Sequence, residues 1–291
     1  MRSGAMGAEI LKHLVDRSHE VVGVADSDPG KAGRTLVELT GVPLEVRVKP
    51  SVRDIQLGGV DVAVISTSSR VSQIEADALR AISNGLDVVT TSEEMAYPDY
   101  AALDAGLRID TLAKERGVCV VGVGVNPGFV MDWVPAVVAR ASKDPNTITR
   151  RQERGREQKE EAASGQGRGG PDQSEVRAGA GGGVLGHVGL VEFAHLIALS
   201  LGKELEGLRQ GVFPVLGSED YVMGVRQFVE GTAGRCAIRL DLEMSLTSAD
   251  FDVIEIRDGP SLKLRFEKGV SGDSATVALV VHAVERVAKA R

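Results

Sequence analysis

Glu93 and Glu94 are adjacent acids at the end of Leu86-Asp87-Val88-Val89-Thr90-Thr91-Ser92, an apolar strand running into a polar turn. Like charges side by side raise at least one pKa, which suits a group that takes and returns a proton. Glu93, the first residue out of the turn, is the favoured catalytic group. The alternative is that both acids hold the following helix by charge–dipole attraction. Near the N-terminus, Gly4-Ala5-Met6-Gly7 has the spacing of the last two glycines of G-x-G-x-x-G. In that motif the backbone approaches a pyrophosphate, and the helix after it offers its N–H groups. Asp26 ends the run Glu20-Val21-Val22-Gly23-Val24-Ala25, roughly 20 residues further on, where an acid takes the ribose hydroxyls of a dinucleotide. Such an acid repels a 2′-phosphate, so NAD is favoured over NADP. Its plain alternative is a cap, by Asp26 or Asp28, for a helix near Gly30–Gly33.

Ser66, Thr67 and Ser68 end the apolar run 60–65. Small hydroxyls there leave room for a ribose and nicotinamide, and they also suit the start of a helix over 71–83. Val118-Cys119-Val120-Val121 reads as a strand buried on both faces, broken by Asn126-Pro127-Gly128. Asn126 and Pro127 are assigned to the cofactor; Asn126 could orient the nicotinamide carboxamide or the substrate, with simple turn formation before Pro127 as its competing role. His187 lies between two glycines at a helix start and could contact substrate or cap the helix. Arg226 could grip a substrate carboxylate with two hydrogen bonds, although a strand arginine is usually solvated. His195 reads as a packed or surface residue. No spacing suggests a metal site.

Strand–helix alternation over residues 1–128 predicts a parallel, Rossmann-like α/β sheet whose first strand is truncated. Helices are expected at about 6–16, 71–83 and 100–116. Arg2 occupies the place of the first motif glycine, and no strand precedes it. Residues 129–272 predict an α+β substrate-binding and dimerisation domain with a mixed or antiparallel sheet. Its strands are expected at 221–230, 235–244, 251–257 and 262–266. A closing helix, about 273–290, is expected to return to the first domain. Residues 150–183 contain no Leu, Ile, Met or aromatic residue, so this insertion is expected to be poorly ordered.

Of 291 residues, 43% are hydrophobic but only 3% aromatic, so aliphatic side chains must fill the core. The net charge of −7 argues against a nucleic-acid partner. Cys119 and Cys236 are far apart and read as buried thiols. There is no secretory signal and no apolar run of about 18 residues. A cytoplasmic protein with no membrane association is expected.

Taken together, Gly4-Ala5-Met6-Gly7, Thr90-Thr91-Ser92-Glu93-Glu94, the run from Gly122 to Asp132 and Gly186-His187-Val188-Gly189-Leu190 resemble the 2,4-diaminopentanoate dehydrogenase family. The native amine dehydrogenases are similar, and the first domain resembles that of dihydrodipicolinate reductases. The resemblance implies reversible NAD(P)-dependent oxidative deamination of a small amine or diamino acid, giving a ketone and ammonia. It also implies a homodimer and an active site between the domains. Two alternatives stand beside it. One is a dihydrodipicolinate-type reductase, against which no His-His-x-x-Lys or Ser-Gly-Thr-Ala run is found. The other is a catalytically impaired relative that only binds or dimerises. The truncated start and the foreign insertion are expected to reflect a start codon set too far downstream and a local frame error.

Overall fold

The computed structural model describes residues 5–155, 187–217, 222–246 and 248–290. The chain divides into two compact units, Met1–Gly128 with Ser271–Arg291, and Phe129–Val270.

The first unit opens with helix α1 (Ala5–Asp16) and strand β1 (Val24–Ala25), then α2 (Leu36–Thr40) and β2 (Val48–Lys49). It continues with β3 (Val62–Ile65), α3 (Val71–Ser83) and β4 (Asp87–Thr90), then α4 (Pro98–Ala101), α5 (Leu103–Arg116) and β5 (Val120–Gly122). All pairings are parallel, but the strands form two sheets, β1-β2 and β3-β4-β5. The second unit holds α6 (Trp133–Ala139), β6 (Thr147–Gly155), α7 (Leu190–Ser200), β7 (Glu206–Leu216) and β8 (Val222–Ala233). β9 (Cys236–Ser245), β10 (Phe251–Arg257) and β11 (Leu262–Phe266) complete it. These strands make one mixed sheet in the order β11-β10-β6-β9-β8-β7, parallel only between β6 and β9. Helices α6 and α7 pack on one face. The last helix, α8 (Gly272–Lys289), belongs to the first unit.

Strand β4 shows how the first unit is held. Its Val88 side chain joins Ile65, Ile74, Ile82 and Ile109 of the α3–α5 side. Val89, on the opposite face, meets Ile10 and Leu14 of α1 and Val277, Val280 and Val284 of α8. Alternation along the strand therefore serves two aliphatic layers at once. Each fully buried Ile or Leu contributes roughly 1.5–3 kcal/mol. Leu11 of α1 faces a third cluster, with Val24, Leu36 and Val48. No helix among the described residues is long and apolar enough to cross a membrane.

Several expectations need correction. The strand buried on both faces is β4. Val120, Val121 and Gly122 lie at the sheet edge and are only partly buried. Cys119, just before that edge strand, is exposed, and only Cys236 is buried. No helix forms at Gly30–Gly33. Asp28 Oδ1 instead accepts the Gly30 N–H at 2.9 Å in a tight turn, and α2 begins at Leu36 behind a Thr35–Glu38 capping box. The run 20–25 forms a ladder only at Val24 and Ala25, because β2 is the single described strand beside it. The helix expected over 100–116 is broken at Ala102 into α4 and α5. Strand β7 was not anticipated, since Gly211 and Pro214 interrupt its pattern and most of its side chains are exposed.

The expected unordered insertion also begins too early. Residues 150–155 complete β6, with Arg150 fully buried and Gln152 nearly so. Residues 156–183 lie outside the described residues. Composition misled here because the inward face of β6 is satisfied by charge pairing. Arg150 Nη2 bonds Asp252, which also accepts Arg154 Nη2 at 2.6 Å and the Val270 N–H at 2.8 Å. Both members of the Arg150–Asp252 pair are fully buried. Removing one leaves a desolvated charge without its counter-charge. Asp252→Ala should lower stability by about 3–5 kcal/mol in urea denaturation. Asp252→Leu combined with Arg150→Met should recover most of that loss, and a double variant as unstable as the single one would contradict this account.

Candidate active site

The ends of β3 and β4 are stitched together by the residues that follow them. The Thr91 N–H bonds the Ile65 carbonyl at 3.1 Å. The Ser69 carbonyl accepts both the Ser92 hydroxyl at 2.8 Å and the Glu94 N–H at 3.1 Å. A 3-10 turn, Glu93–Ala96, begins there. Its two acids have separate surroundings. Glu94 is buried, its Oε2 accepts the Val71 N–H at 2.8 Å, and its Oε1 lies 3.5 Å from Arg70. It therefore caps α3, whose own N-cap residue, Arg70, provides no side-chain cap. The acid holds the helix before it in sequence, not the one after.

Glu93 is partly buried. Burial pushes its pKa above the ordinary carboxylate value, a hydrogen bond with Ser69 opposes this, and the charge of Glu94 adds to the rise. At the end of β3, the Ser66 hydroxyl oxygen is buried with no protein hydrogen-bond partner. Ser68 is occupied locally. Its Oγ accepts the Arg70 N–H at 3.1 Å and donates to Gln73.

Asp26 stands at the end of β1 with its side chain fully buried. Its Oδ1 accepts the Asp28 N–H at 2.9 Å, and its Oδ2 lies 3.0 Å from Lys31 Nζ. Asp26, Ser27, Thr67 and Ser68 all line a cavity of about 490 Å³. Met6 is part-buried and Gly7 buried on the first turn of α1, and neither lines it. Gly4 and the Ala5 side chain lie outside the described residues. An acid and small hydroxyls at parallel-strand ends fit a dinucleotide's riboses, while Ser66, Glu93, Asn126 and Pro127 are not among the residues lining this cavity. Asn126 and Pro127 sit at the end of β5, where the Val125 N–H bonds Thr276 Oγ1 of α8 at 3.0 Å. Gly128 closes the turn at φ +100°, and a Cβ there would lie 3.0 Å from Val123 Cα, so only glycine fits.

In the second unit the structure separates the two residues proposed for substrate. The His187 N–H bonds Gln227 Oε1 at 2.7 Å, and Gln227 Nε2 returns a bond to the His187 carbonyl at 3.1 Å. Gln227 is on the buried face of β8. Arg226, next along the strand, is on the opposite, exposed face, with its Nε 2.9 Å from Glu243 Oε2. Burial keeps the His187 pKa below the ordinary value, and nearby Arg150 pushes it the same way. Arg150 escaped the sequence reading because it lies where composition predicted no order. Burial lowers its pKa while Asp252 opposes, and its Nη1 is buried with no hydrogen-bond partner. No cluster of three or more metal-ligating side chains occurs among the described residues.

No protein-family model matches the chain. It is 25% identical over 321 residues to 2,4-diaminopentanoate dehydrogenase of Acetoanaerobium sticklandii, covering 100% of this chain and 89% of that one. Its fold matches an amine dehydrogenase from Mycobacterium smegmatis with TM-score 0.81 and 20% identity, over 98% of this chain and 90% of the other. A WlbA dehydrogenase from Thermus thermophilus, solved with NAD and alpha-ketoglutarate, matches at TM-score 0.59 and 12% identity, over 99% and 86%. A Synechocystis biliverdin reductase, solved with biliverdin and NADP+, matches at 0.57 and 12%, over 99% and 87%. Over its whole length the chain is similar in sequence to a 2,4-diaminopentanoate dehydrogenase, and it shares the fold of the mycobacterial amine dehydrogenase.

Proposed function

We propose that this chain is an NAD(P)-dependent oxidoreductase that deaminates a small amine or diamino acid reversibly, with Glu93 moving the protons. The observation that carries this is the Glu93 carboxyl, raised in pKa by burial in the 3-10 turn that follows β4. Its neighbour Glu94 is committed to α3, so one acid of the pair is left for chemistry.

A nicotinamide bound at these strand ends supplies an acceptor for hydride from the amine-bearing carbon. Asp26 is suited to hold the adenosine ribose, and the Ser66 hydroxyl to meet a ribose or amide group further along. The residues of the chain handle the protons. Glu93, as carboxylate, takes a proton from the substrate ammonium, which frees the nitrogen lone pair as hydride leaves. Glu93 releases that proton to solvent, then takes a proton from the water that attacks the substrate iminium and returns it to the nitrogen that departs as ammonia. A carboxyl with a raised pKa suits both directions.

The Asp26 carboxylate supports a preference for NAD, although Lys31 partly offsets its charge. Asp26→Ser should shift the ratio of NAD to NADP turnover toward NADP about tenfold or more, read by steady-state rates with each coenzyme. A homodimer is supported by the sheet face opposite α6 and α7, uncovered among the described residues, where half-exposed Phe213 stacks on Phe228 at 6.0 Å.

Glu93→Gln should cut amine-dependent NAD reduction by about 10²–10⁴-fold. NADH affinity, from nicotinamide fluorescence, should change little. Near-parental turnover in this variant would remove Glu93 from the mechanism. Stability gives a second reading. The folded chain keeps the Glu93 proton at pH values where the unfolded chain releases it, so its stabilising effect is present at low pH and lost as pH rises through the raised pKa. Thermal melts from about pH 4 to 7 should therefore move in favour of Glu93→Gln as pH rises. Glu94→Ala should instead cost about 1–2 kcal/mol of stability through loss of the α3 cap.

A further inference from the structure

Gln227 spends its whole side-chain amide on one residue. Its Oε1 accepts the His187 N–H at 2.7 Å, and its Nε2 donates to the His187 carbonyl at 3.1 Å. A neighbouring strand would exchange the same two bonds, but here they come from a nearly buried side chain of β8. They pin the chain two residues ahead of Gly189, the N-cap of α7. Other contacts fix the imidazole. Its Nδ1 is hydrogen-bonded to the Val188 carbonyl, and the Phe193 ring meets it edge-on at 6.1 Å. A carbonyl oxygen can only accept, so Nδ1 carries the hydrogen. Nε2 is then a bare acceptor on a part-buried residue, with no protein partner among the described residues.

We infer that Gln227 is a positioning residue that holds His187 in its Nδ1–H tautomer, and that Nε2 accepts a hydrogen bond from a second N–H or O–H donor of the substrate, distinct from the nitrogen that reacts. This role depends on the amine oxidoreductase reading above, in which Glu93 serves the reacting ammonium and His187 is left to meet another donor. The surroundings keep the ring uncharged. Burial disfavours an imidazolium and Arg150 of β6 repels one, while Asp252 and Asp132 act in turn on Arg150. Arg150 Nε also bonds the Val130 carbonyl at 3.3 Å, where the chain enters this unit from the Asn126-Pro127-Gly128 turn. An acceptor fixed in this way discriminates between ligands. A donor satisfies it, a methyl group leaves it desolvated, and a carboxylate meets its lone pair with another.

The test is nitrogen NMR of the full chain with labelled histidine, in the presence of NADH so that no amine is oxidised. The His187 signals, one set among five histidines, are identified by their loss in His187→Asn. From about pH 6 to 8 they should show a protonated Nδ1 and a bare Nε2. Adding 2,4-diaminopentane should shift Nε2, and 2-aminopentane, which lacks the second donor, should shift it far less. Gln227→Met should mix the two tautomers, which loss of a merely structural glutamine would not do. If Gln227→Met does not fold, Gln227→Glu, which keeps an acceptor for the His187 N–H, serves in its place. In steady-state assays the diamine should exceed the monoamine in kcat/KM about tenfold or more, and His187→Leu should bring that ratio near one. A protonated Nε2, equal shifts from both amines, an unaltered ring signature in the folded Gln227 variant, or a ratio unchanged in His187→Leu would each overturn the inference. Absence of NAD reduction with every amine would count against the catalytic reading instead, because the NMR readouts do not depend on turnover.

Discussion

Where a parallel strand stops, its last backbone groups lose their ladder partners and must be met by whatever follows. That constraint governs the first unit. The carbonyl of Ser69 takes two donors from the turn after β4, and the Thr91 N–H reaches back to Ile65. Glu94 meets the opening N–H of α3. Polar residues gather at these ends because the backbone requires them. Glu93, by contrast, caps no helix, and the Ser66 hydroxyl has no protein hydrogen-bond partner.

The second unit solves a different problem. Its sheet must cover one face with two helices while threading a charged strand, β6, through its middle. Arg150 could not point inward unless Asp252 stood opposite, and Asp252 is held in turn by Arg154 and the Val270 N–H. The opposite face is charged as well, but its ions are paired, Arg226 with Glu243 and Arg239 with Glu230 across strands, and Arg239 with Asp241 along β9. Burial raises the Glu243 pKa, yet Arg226 and Ser248 outweigh it and hold the carboxyl below the ordinary value.

Much of this architecture was legible because periodicity is a local property. Helix α3 and strands β10 and β11 have the bounds that their apolar spacing predicts. The signal failed where stability comes from a distant partner. Arg150 to Gly155 read as unstructured because Asp252 lies 102 residues away from Arg150. Residues 20–23 read as strand because a sequence cannot report whether a neighbour is there to pair with. The adjacency of Glu93 and Glu94 was visible, but the division of labour between them was not. It depends on where the N-terminus of α3 comes to rest. His187 and Arg226 were grouped by chemistry, and only the alternation along β8 separates them.

The 3-10 turn has one more consequence. Successive side chains leave such a turn about 120° apart, so Glu93 and Glu94 point in different directions by construction. Gly122 of β5 backs onto Met95 so closely that a methyl group there would come within 2.9 Å of its Cβ. The turn can neither rotate nor slide. A single codon lost between Thr90 and Glu93 would therefore shift Glu94 into the place of Glu93 and Met95 into the capping place, leaving the Val71 N–H without its carboxylate. Spacing in this short stretch is as much a part of the message as the identity of its letters.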